Sequence, residues 1–122
     1  MRKSAKSTLA IAGTLALVMG GFSVAPGIAS AASAVEEGKK IAFHKKKGNC
    51  LACHKIAGGT AAGNVGPALV NMKARFPDKK KLREQIWDAT ARNPRTMMPP
   101  FGQHKILSEE EIDKVVEFVL TL

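Results

Sequence analysis

The chain has almost no cysteine, no convincing strand and no catalytic cluster, and each absence narrows what it can be. No stretch alternates apolar and polar residues, or carries a β-branched run, long enough to make a strand. The two cysteines, Cys50 and Cys53, leave no odd thiol. With His54 they give three candidate ligands at most, too few for a structural zinc site built from two separated pairs. No acid/base pair or nucleophile cluster stands out anywhere in the 122 residues. Acidic residues are scarce, 10 against 19 basic, but the excess comes without a recognition motif or interleaved aromatics. That pattern speaks against nucleic-acid binding. Finally, no apolar run approaches the roughly 20 residues that span a bilayer.

What is present begins with a leader. Arg2, Lys3 and Lys6 precede a weakly apolar run from Leu9 to about Val18, and small residues follow. Ala29-Ser30-Ala31 and Ala32-Ser33-Ala34 both fit a cleavage signal, so residues 1–34 read as a cleaved secretory signal peptide, with 1–31 as the alternative. A membrane anchor fits worse, because Gly13, Gly20 and Gly21 interrupt the run. The expected mature domain, 35–122, keeps all ten acidic residues and all but three of the basic ones. It is short enough that a disulfide, metal or cofactor would help it fold.

Three helices are expected. The stretch "AVEEGKKIAFHKKKG" ends at Gly48 after a lysine-rich turn, and Gly38 and Ala42 share a face that can approach another backbone closely. In "PDKKKLREQIWDATA", Asp78 is the cap and Leu82, Ile86 and Ala89 form a stripe closed by Asn93-Pro94. The stretch "LSEEEIDKVVEFVLTL" carries a capping box, Ser108 with Glu111. Its apolar residues Ile112, Val115, Val116, Val119 and Leu120 follow helical spacing. Between these lie two irregular segments, the glycine-rich "KIAGGTAAGNVGPAL" and "ARNPRTMMPPFGQHK" with its three prolines. Long loops in an all-α chain need something central to wrap.

That something is indicated by "CLACH", residues 50–54. A thioredoxin-type redox pair belongs near a βαβ pattern, which is missing here. Cys-x-x-Cys-His is instead a strong signal for c-type haem. On this reading Cys50 and Cys53 anchor one porphyrin through its two vinyl groups and His54 is the proximal iron ligand. An exported chain agrees with it. For the sixth ligand, Met98 is preferred because Pro99-Pro100 fixes the adjoining backbone. Met97 would point the other way and pack, and Met72 would fill the core. His104 is a weaker substitute for Met98, and His44 reads as a solvated side chain. The carbonyl of Pro67 could accept the Nδ1 proton of His54. Leu69, Phe76, Leu82, Ile86, Trp87 and Phe101 would line the porphyrin.

These residues resemble a class I cytochrome c: crossing N- and C-terminal helices, with loops wrapped around one covalent haem. The pieces "NCLACH", "GNVGPAL", "KARFPD", "IWDAT" and "NPRTMMPPFG" narrow the resemblance to the SoxX family, monohaem subunits of the SoxAX cytochromes of sulfur oxidation. The resemblance implies a periplasmic, non-catalytic electron-transfer subunit of a heterodimeric L-cysteine S-thiosulfotransferase. Its partner would be a SoxA-like haem protein that joins thiosulfate to a carrier-protein cysteine. A soluble cytochrome would accept the electrons. The alternative is a free, diffusible monohaem carrier. Lys39, Lys40, Lys45 to Lys47 and Lys79 to Lys81 would either steer an acidic partner or simply be solvated.

Overall fold

The computed structural model describes residues 26–122, so most of the expected leader lies outside the described residues. Four α-helices follow one another: α1, Pro26–Phe43; α2, Met72–Arg75; α3, Lys79–Trp87; and α4, Glu109–Val119. Two 3₁₀ turns, Cys50–Ala52 and Ala89–Ala91, complete the regular structure among the described residues. Among the described residues there is no strand, and the architecture is all-α. No helix among them is long and apolar enough to cross a membrane.

Helix α1 begins earlier and ends earlier than its sequence pattern implies. Pro26 suits a first helical position and the alanines after it favour continuation. At the other end His44 to Lys47 form a turn. The N–H groups of His44 and Gly48 both donate to Ile41 O at 3.2 Å, capturing a carbonyl of the last turn as the helix closes at Phe43.

Helix α4 is the spine of the core. Its capping box is closed from both sides: Glu111 N–H donates to Ser108 Oγ at 3.2 Å and Ser108 N–H to Glu111 Oε2 at 3.1 Å. Leu107 and Ile112, before the cap and at the fourth helical position, are both buried and occupy the places of a hydrophobic staple. Ile112, Val115, Val116 and Val119 are buried as their spacing implies, whereas Leu120 is only half-buried and Phe118 takes a core place. Each such side chain contributes about 1.5–3 kcal/mol on burial. The stripe packs on α1, where Phe118 meets Phe43 edge-on, with centroids 5.8 Å apart. A Cβ added at Gly38 would lie 1.9 Å from Lys114 O, so the two backbones approach as only glycine permits.

Helix α3 starts at its expected cap, Lys80 N–H donating to Asp78 Oδ1 at 2.9 Å. It stops at Trp87 because Asp88 is extended and caps the next turn through Thr90 N–H, also at 2.9 Å. Leu82, Ile86 and Ala89 are all buried, the last from that separate turn.

Candidate functional site

A cavity of about 610 Å³ opens between the loops and the helices, and it collects nearly every candidate the motifs single out. Cys50, Cys53, His54, Pro67 and Met98 all line it, with Leu69, Phe76, Leu82, Ile86 and Phe101. That volume lies within the range of sites that bury a sizeable organic ligand.

The Cys50–His54 segment is one compact turn. Asn49 enters it in the left-handed region, φ 46°. Cys53 N–H and His54 N–H then both donate to Cys50 O, at 3.2 and 2.8 Å. Burial pushes the Cys50 thiol up to about 11, opposite to the depressed value of a reactive redox thiol. Cys50 and Cys53 form no disulfide. Among the described residues no three His, Cys, Asp or Glu side chains converge as a metal site would require.

His54 is held from two directions. Its Nδ1 lies 2.7 Å from Pro67 O. A carbonyl can only accept, so Nδ1 carries the proton and Nε2 presents its lone pair. A Cβ at Gly66 would fall 2.4–2.9 Å from three atoms of the ring, so the imidazole rests directly on that backbone. Of the three histidines His54 alone lines the cavity. His44 is exposed, its Nδ1 taking the N–H of Lys46 at 3.1 Å, and His104 is exposed away from the cavity.

Met72, Met97 and Met98 all line the cavity and differ in burial. Met98 is half-buried against the core, its N–H donating to Thr96 Oγ1 at 3.2 Å. Met72 is buried, as expected of core filler. Met97 does not pack as anticipated: it is 78% exposed at the cavity rim.

Trp87 is a second correction, since it does not line the cavity. It lies beneath the Arg83 guanidinium, 5.4 Å from the ring centroid, and its carbonyl accepts the N–H of Gly102 at 3.1 Å. Arg75, Gln85, Thr96 and Leu107 line the cavity as well, though no motif marks the first three. Only Leu107 had a legible signal, its staple position before Ser108.

The family described as cytochrome c oxidase, cbb3-type, subunit III matches residues 33–119. A protein from Aquifex aeolicus (strain VF5), described as an uncharacterized lipoprotein, is 38% identical over 78 residues, covering 61% of this chain and 36% of that protein. This chain thus matches little more than a third of that relative's length. The family match takes in well over half of the chain, and the chain belongs to this family of cytochrome c domains. The domain carries covalent haem c with its iron and transfers electrons through it. The walls described above fit such a group: an apolar cavity, paired thiols in one turn, and an imidazole with a free Nε2.

Proposed function

We propose, from the resemblance of "GNVGPAL", "KARFPD", "IWDAT" and "NPRTMMPPFG", that the chain is a SoxX-type electron-accepting subunit. It would take electrons released when a SoxA-like haem partner joins thiosulfate to a carrier-protein cysteine, and pass them to a soluble cytochrome. Cys50 and Cys53 would hold haem c by two thioether bonds, and His54 and Met98 would hold its iron. When bound, the group supplies a one-electron iron couple, and a thioether ligand favours its ferrous state.

The chain's own residues do the positioning. Pro67 fixes the His54 tautomer and Gly66 limits how the ring can tilt. Pro99 and Pro100 stiffen the backbone beside Met98, and Leu82, Ile86 and Phe101 keep water from the interior. Cys50 and Cys53 are the only thiols, so none is left to handle sulfur. The observation that carries the reading is the convergence of Cys50, Cys53, His54 and Met98 on one apolar cavity.

The rim supports a protein partner. Val65, Met97 and Ile106 are exposed apolar residues lining the cavity mouth. Lys45 and Lys46 line it too and have no ion-pair partner among the described residues. The leader pattern and the lipoprotein description of the relative favour export, and the periplasm is the compartment proposed. The alternative, a freely diffusing carrier, draws on the same exposed lysines.

Two measurements separate these. Copurification with a SoxA-like subunit, with thiosulfate-dependent reduction of this chain inside the complex, is expected. A chain that stays monomeric beside that subunit and adds nothing to turnover favours the diffusing carrier. Met98→Ala should abolish the near-infrared sulfur–iron band and lower the potential. Met97→Ala should do neither, and the reverse outcome would transfer the ligand role to Met97.

A further inference from the structure

The peptide that holds His54 is itself held. Gly66 N–H donates to Cys53 O at 2.8 Å and Leu69 N–H to Lys55 O at 2.9 Å, tying both ends of the Pro67-Ala68 segment to the backbone flanking His54. The Ala68 carbonyl has a different partner. Nη1 of Arg75 donates to it at 3.0 Å and also meets Met72 Sδ at 3.3 Å. Arg75 stands on a fixed base, because Met72 is buried and its N–H donates to Leu122 O at 2.8 Å. A continuous set of contacts therefore runs from the chain's last residue, through α2 and Arg75, to the peptide beside the His54 acceptor.

We propose that Arg75 is a positioning residue for His54: by pinning the Ala68 carbonyl, its guanidinium sets how firmly Pro67 O accepts the Nδ1 proton. This rests on the reading of His54 as an axial ligand. A firmer acceptor gives the imidazole more anionic character, which favours ferric iron and lowers the potential. Loosening the acceptor raises it. The positive charge of Arg75 acts in the opposite sense, since a cation lining the cavity disfavours the more positive oxidised state. The two effects can therefore be told apart by sign. Lysine keeps the charge but ends in a shorter, rotatable ammonium, in place of the planar guanidinium whose Nη1 meets both the carbonyl and the sulfur.

Arg75→Lys should raise the midpoint potential and speed exchange of the His54 Nδ1 proton about tenfold, the effect of one lost charge-assisted hydrogen bond. NMR of the reduced protein and a spectroscopic redox titration read these. Arg75→Met should show the same faster exchange, with a potential below that of the lysine variant. Wild-type exchange rates in both variants overturn the proposal. A lowered Tm with unchanged exchange and potential overturns it too, since that is the mark of a merely structural tie. The ligation reading has its own check: a His54→Gly protein that keeps the wild-type low-spin spectrum would overturn that reading, and this proposal with it.

Discussion

The outer face of α4 and the rim of the cavity use the same kinds of side chain to opposite ends. On α4 every charged residue is paired. Glu111 meets Lys47, Glu117 meets Lys79, Asp113 and Glu109 share Arg83, and Lys114 bridges Glu37 and Glu110. The pairs tie the helix to α1, to α3 and to the turn after α1. At the rim Lys45 and Lys46 have no ion pair among the described residues and stand beside exposed Val65, Met97 and Ile106. One lysine run is thus divided: Lys47 is spent on the fold and its two neighbours are left to the solvent or a partner. Charge counted along the sequence cannot make that division.

The comparison is broken most severely by removing the sulfurs. Cys50→Ala with Cys53→Ala should abolish covalent haem on a denaturing gel, while the α1–α4 pair keeps part of the helical circular dichroism. Equal loss of both signals would mean that the helices depend on the cofactor as much as the loops do. Next comes the close approach of the helices. Gly38→Val must force Lys114 O away from a contact of 1.9 Å, with an expected loss of about 3 kcal/mol or more in unfolding experiments. A wild-type Tm would show that the helices can separate freely there.

The smallest effects test the lysines directly. Lys47→Gln should cost about 0.2–1 kcal/mol, as exposed ion pairs do, and the loss should shrink in high salt. Lys45→Glu with Lys46→Glu should leave stability within about 0.5 kcal/mol and slow partner association most at low salt. If Lys47→Gln alone slows association, the division drawn above fails. Acid gives a parallel check. Lys47, with Ser108 N–H, holds the Glu111 carboxyl below its ordinary value, and Lys114 does the same for Glu37. A depressed carboxyl stabilises the fold above its unfolded pKa and loses that contribution as pH falls through the folded value. The α4 face should therefore loosen in acid and be indifferent to pH near neutrality.

What the sequence made legible was local chemistry. The Ser108–Glu111 box, the Asp78 cap and the α4 stripe each depend on residues three or four apart, so spacing alone identifies them. The Cys50–His54 motif is a single turn for the same reason. Long-range geometry was not legible. No motif marks Arg75, because its partners at Ala68 and Met72 matter only through a peptide seven residues back and a buried thioether. Aromatic character alone puts Trp87 in the cavity, but the extended Asp88 ends the helix and Arg83 covers the ring on another side. Met97 was expected to pack, and only the course of the loop shows that no element reaches it.

Gly66 has no positive φ, so alanine there would strain nothing in the backbone, yet its methyl would strike the imidazole face. The position therefore works as a stop against which one flat ring is registered. Replacements at this spot would first change the colour of the protein and only later its melting. Compensating changes would be found in whatever sets the ring's angle, not in the glycine's own backbone torsions.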